Sequence, residues 1–162
     1  MSMFGDDHYR WRETYFVLIE SRRRPKLRDV EEALKQLDPH FCLQNAAADD
    51  AGRFESITVL APDDYAALDI CYTEGEEVAE HRDELMKELL TASSRGVDRA
   101  RLEKIRRCDA RLDVLHFEQI PDAEEEEDSE EMLDPSALLI VLNGLAKLTH
   151  GVAVDPQSGT LL

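Results

Sequence analysis

The chain of 162 residues has the size of one domain, long enough to bury roughly 70% of the surface its unfolded form exposes. Its formal net charge of −17, from 36 acidic against 19 basic residues, repels polyanions and argues against generic binding of nucleic acid or of anionic membrane surfaces. No run approaches the roughly 20 apolar residues of a spanning helix, and Met1 to Arg10 lacks the apolar stretch of a secretory signal, so the expected location is the cytoplasm.

Thr14 to Glu20 (TYFVLIE) is a continuous β-prone apolar run, the pattern of a central strand covered on both faces. Leu27, Val30, Leu34 and Leu37 then recur at helical spacing with charged residues between them, after Pro25 and before Asp38-Pro39, which predicts one amphipathic helix. His40 to Ala46 and Phe54 to Leu60 read as two strands of a hairpin around the turn-rich Ala48 to Gly52. Ala61 to Asp64 is the next turn. In the strand after it, Leu68, Ile70 and Tyr72 alternate with Asp69 and Cys71, giving one buried and one more polar face.

Glu76 to Leu90 is helical in pattern, with acidic residues in its first turn, where they favour the helix dipole. Thr91 to Gly96 breaks it, and Val97 to Arg107 adds a short basic helix. Arg111 to Gln119 reads as a strand ended by Pro121. Residues 122 to 134 carry nine acidic side chains and no basic one, a stretch too self-repelling to pack, and read as a solvated loop. Asp134-Pro135 starts a helix through Leu138, Val141, Leu142, Leu145 and Leu148, and with Leu139 and Ile140 added it reads as largely buried. Gly151 is placed as its left-handed cap. Val152 to Val154 forms a last short strand, and Asp155 to Gly159 a turn.

This order predicts a single α+β domain over residues 1–162. The expected architecture is a ferredoxin-like sandwich variant, with a largely antiparallel sheet, helices on one face, and an appended C-terminal helix and strand. That superfold hosts many unrelated activities and assigns none.

Among candidate sites the most unusual is the run Arg22, Arg23, Arg24, Lys26 and Arg28 at the start of the first helix. Guanidinium groups beside free helix N–H groups suit a phosphate or carboxylate, so Arg22, Arg23, Arg24 and Lys26 form a candidate anion site. A second basic stretch, Arg95 to Arg107, is diluted by Asp98 and Glu103. Glu77, Glu80, His81 and Glu84 stand at helical spacing, where carboxylates and imidazole can ligate a divalent metal, but an acidic helix face is usually solvated. His116 and Glu118 share one strand face, near Asp109 and Asp113 in sequence. Cys42, Cys71 and Cys108 are odd in number and show no CxxC or zinc spacing, so they read as reduced thiols. GxGxxG, GxxxxGK(S/T), GxSxG and HExxH are all missing, and the acidic run has no glycine of an EF-hand loop. No cofactor and no metal are expected.

Three phrases resemble a family of uncharacterised bacterial proteins: Ala61 to Ala66 (APDDYA), Cys108 to Asp113 (CDARLD) and Gly151 to Gly159 (GVAVDPQSG). The resemblance implies a packed C-terminus, and no activity, ligand or catalytic residue comes with it.

The expected function is a non-catalytic cytosolic interaction module whose partner is another protein or a second copy of the chain. An uncovered patch is sought at Leu68, Ile70 and Tyr72 or on the opposite Cys71 face. The alternative is a binder of, or enzyme acting on, a small anionic ligand at Arg22, Arg23, Arg24 and Lys26.

Overall fold

A computed structural model describes residues 9–92, 99–119, 136–155 and 160–161. Strand β1 (Tyr9–Ile19) leads through a single 3-10 turn at Ser21–Arg23 to helix α1 (Leu27–Leu37), then β2 (Cys42–Ala48), β3 (Phe54–Ala61) and β4 (Ala66–Glu74). Helices α2 (Glu76–Ala92) and α3 (Arg99–Arg107) precede β5 (Ala110–Gln119), followed by α4 (Ser136–Thr149), β6 (Val152–Asp155) and the two-residue β7 (Thr160–Leu161). All strands join one antiparallel sheet in the order β2-β3-β4-β5-β1-β6-β7.

The end of β1 explains the layering. Phe16, Val17, Leu18 and Ile19 are at most 3% exposed, so this strand has two apolar faces and each needs a cover. On one face Val17 and Ile19 pack with Leu68, Ile70, Leu112 and Val114 beneath Val30 and Leu34 of α1 and Leu138, Val141, Leu142 and Leu145 of α4. On the other, Phe16 and Leu18 join Val152 and Val154 beneath Val78, Leu85 and Leu89 of α2 and Ile105 of α3. The expectation of helices on one face is thereby corrected to helices on both. The apolar stripe of α2 has no place beside α1 and α4, which already fill their side.

Two glycines allow close approaches. A Cβ on Gly144 of α4 would lie 2.7 Å from Cδ1 of Leu37 on α1, so the bare backbone lets these helices meet. A Cβ on Gly151 would meet the Leu18 carbonyl oxygen at 2.5 Å. The left-handed residue that ends α4 is His150, at φ 55°, rather than Gly151. The Gly151 N–H donates to the Ala146 oxygen at 2.9 Å, which closes the helix in the manner of a Schellman motif.

The β2–β3 hairpin forms where the turn residues place it, with β2 starting two residues later than expected, at Cys42. The acidic run at 122–134, the Asp134-Pro135 helix start, most of the Thr91 to Gly96 break and the turn at 156–159 lie outside the described residues. Among the described residues no helix is long and apolar enough to cross a membrane.

Candidate functional site

Pairing places Ser56 beside Cys71 and Cys71 beside Asp113, and in the next row Thr58 beside Asp69 and Asp69 beside Leu115. Paired residues point to one side of a sheet, so these polar groups share the face that carries Phe16. Among the described residues, the apolar core under α2 and α3 takes none from β2, β3 or β4. A half-open cavity of about 200 Å³ lies on this part of the face, lined by Asn45, Ser56, Ile57, Thr58, Asp69, Cys71 and Leu115.

The rim is built by an irregularity in β2. Its register with β3 shifts between Gln44 and Ala47, and Asn45 takes φ 52°, a left-handed conformation that asparagine tolerates better than most residues. Bulges of this kind re-aim side chains next to sites. On the floor the Thr58 hydroxyl donates to Asp69 Oδ1 at 2.6 Å, with Thr58 2% and Asp69 6% exposed. A carboxylate this buried needs such a donor, because desolvation otherwise disfavours it.

The Cys71 thiol is pushed above its ordinary range, first by burial and then by Asp69 and Asp113. It is therefore a protonated thiol at neutral pH and a poor nucleophile. Asp113 is pushed up by burial, against the opposing pull of Arg111, Thr73 and His81. Arg111 Nε lies 2.8 Å from Asp113 Oδ1, as an ion pair off the line of a hydrogen bond. Arg111 Nη1 lies 3.2 Å from His81 Nδ1. The His81 ring meets Phe16 at a centroid distance of 5.0 Å, so His81 turns inward while Glu77, Glu80 and Glu84 stay exposed.

The basic run at the start of α1 divides. Arg22 and Arg23 each place Nε 3.1 Å from the Glu20 carboxylate, which they hold below its ordinary range, Arg22 most. Arg24 turns the other way: its guanidinium stacks 4.0 Å over the Tyr72 ring, its Nε donates to the Phe54 carbonyl at 2.9 Å, and Nη1 is 3.7 Å from Asp49. Lys26 is exposed and its backbone bridges to Arg53. In α3, Arg106 pairs with Glu103 at 3.2 Å, and Arg95 lies outside the described residues.

His116 and Glu118 do share the α1/α4 face. His116 is 0% exposed with Nδ1 3.3 Å from Glu13, while Glu118 pairs with Arg10 and Arg12. Asp113 points to the opposite face, and Asp109 accepts from the Ser21 N–H and hydroxyl at 2.6 and 2.7 Å.

Sequence reasoning missed the Thr58–Asp69 pair, whose only signal was the polar alternation of β4, and the group Asp38, His40 and Asp63. The ligand atoms of those three lie within 4.8 Å of one another. His40 Nδ1 is 2.6 Å from Asp63 Oδ2, which, with Asp38 behind it, raises the His40 pKa. Both His40 and Asp63 side chains are more than 60% exposed, the setting of a solvated ion pair.

Comparison with family models finds no match to this chain, and neither the curated proteins nor the solved structures supply one.

Proposed function

We propose that this protein is a non-catalytic interaction module that docks a protein partner on its Cys71 face, at the end of the sheet formed by β2, β3 and β4. The observation that carries this reading is the half-open cavity under the β2 rim, floored by the buried Thr58–Asp69 pair. The protonated state of Cys71 speaks against nucleophilic chemistry at the same place. Of the patch Leu68, Ile70 and Tyr72, the first two are fully buried beneath helices and Tyr72 is half-buried, while Cys71 on the opposite face is half-buried too. We propose also that β5, α4 and β6, which straddle β1 with α4 beside α1, are the ferredoxin-like part of the fold.

The test uses a photo-crosslinking residue at Asn45, compared with one at Glu88 on the exposed side of α2. Defined adducts from position 45 alone, lost when Ser56→Trp fills the cavity of a still-folded protein, are expected. An adduct of twice the chain mass identifies a second copy as the partner. Equal adducts from both positions, or adducts that survive Ser56→Trp, refute the reading.

The anion alternative requires Arg22 and Arg23 to leave Glu20, and Arg24 to leave Tyr72 and the Phe54 carbonyl. Its test is a thermal-shift measurement with inorganic phosphate, where stabilisation lost in an Arg22/Arg23 charge reversal supports it and none at all removes it.

A further inference from the structure

We propose that Asp38, His40 and Asp63 bind a divalent transition-metal ion of the zinc class, in a site that stands independently of the docking reading above. One imidazole and two carboxylates supply it, and their ligand atoms all lie within 4.8 Å of one another. The backbone brings them there from two separate turns. Asp38 caps the end of α1, where its N–H donates to the Leu34 oxygen at 3.3 Å and its own oxygen accepts the Phe41 N–H at 3.2 Å. Phe41, 2% exposed, anchors this turn in the core. Asp63 sits in the 3-10 turn Pro62–Asp64, closed by Tyr65 at φ 53°. Pairing of Cys42 with Leu60 sets the two turns side by side at one end of the β2–β3 hairpin.

The spacing suits such an ion. His40 Nδ1 and Asp63 Oδ2 are 2.6 Å apart, and the ligand atoms around a tetrahedral ion with bonds of about 2.1 Å stand about 3.4 Å apart. Replacing the shared proton by the ion therefore asks the pair to part by about 1 Å at most, a movement open to side chains that are 69% and 61% exposed. Asp38 Oδ1 accepts the His40 N–H at 2.9 Å, which holds that carboxylate beside the ring and leaves it a second oxygen for coordination. Two carboxylates against one imidazole keep the group negative, and among the described residues no lysine or arginine pairs with either of them. A divalent cation meets that excess, and the net charge of −17 draws cations to the whole chain. The nitrogen ligand favours zinc over magnesium or calcium, which take oxygen ligands. The exposure that makes the His40–Asp63 pair weak as a bond makes it open as a ligand set, with water completing the coordination.

The experiment titrates zinc chloride into the isotope-labelled, untagged full chain, in an excess of magnesium that saturates weak carboxylate sites, and reads both heat and NMR shifts. One equivalent of zinc is expected to bind, shifting the His40 ring and the amides of Asp38, His40, Phe41 and Asp63. His40→Gln and Asp63→Asn, both at exposed positions, should each weaken binding at least about tenfold, with amide spectra that match the parent outside the two turns. Cys42→Ser removes the neighbouring exposed thiol and should leave the affinity within about twofold. Zinc binding that is unchanged in both His40→Gln and Asp63→Asn, or that is lost in Cys42→Ser, overturns the site. So does magnesium alone giving the same shifts at the same affinity, and so does a chain that takes up no zinc at about 1 mM.

Discussion

Replacing Thr58 by valine keeps the shape of the side chain and removes the hydroxyl that donates to Asp69 Oδ1 at 2.6 Å. Hydrogen bonds to a charged group contribute about 1.5–3 kcal/mol, and a buried acceptor that loses its donor carries the desolvation cost. With Thr58 2% and Asp69 6% exposed, water cannot readily substitute, so Thr58→Val should destabilise by about 2 kcal/mol. For a domain of this size that lowers Tm by about 4–8 °C. Urea unfolding of Thr58→Val, Asp69→Leu and the double variant completes a cycle. The double variant should be less destabilised than the sum of the singles by about 1–2 kcal/mol, because two apolar groups make no unmet demand on each other. A Thr58→Val change within about 0.5 kcal/mol of the parent, the usual range for inconsequential surface changes, would refute the claim that this bond sustains a buried carboxylate.

Gly151→Ala sets a Cβ 2.5 Å from the Leu18 oxygen and 2.8 Å from Ile19 Cγ2; it should cost about 1–3 kcal/mol by overpacking, read as a lower urea midpoint. Iodoacetamide at pH 8, followed by mass spectrometry, should label the exposed Cys42 first, Cys71 slowly because its thiol is pushed up, and Cys108 last, with its thiol pushed up to about 12. The His40–Asp63 pair raises the histidine pKa, so its contribution is complete below the ordinary imidazole value and fades as pH rises through the raised one. An NMR titration of His40 should show that elevation, and Asp63→Asn should return it toward the ordinary value.

What the sequence made legible was local. The FVLI run announced a strand covered twice, the stripes of α1 and α4 announced their buried faces, though Leu139 and Ile140, expected to be buried with the rest of α4, are 51% and 42% exposed, and the turn at Ala48 to Gly52 announced the β2–β3 hairpin. The side of the sheet taken by α2 was hidden, because it depends on which strands lie between β4 and β6 and not on the helix itself. The cavity was half visible. Alternation gave Asp69 and Cys71 a polar face, but Thr58 becomes their neighbour only through a register that no local pattern encodes. The arginine run was read as charge, and its partition between Glu20 two residues upstream and Tyr72 on a distant strand follows from tertiary packing alone.

The place of β1 in the sheet bears on how the chain is made. Its neighbours are residues 110–119 and 152–155, so the strand that carries Phe16 to Ile19 waits through some 90 residues of synthesis before its first partner exists. At typical ribosomal rates that is about 5–20 s, during which Phe16 to Ile19 has no sheet to join. Such long-range pairing makes folding slow and makes the nascent chain a natural client for chaperones. A circular permutant that begins at Glu20 and carries β1 after β7 would have both partners of β1 made before it.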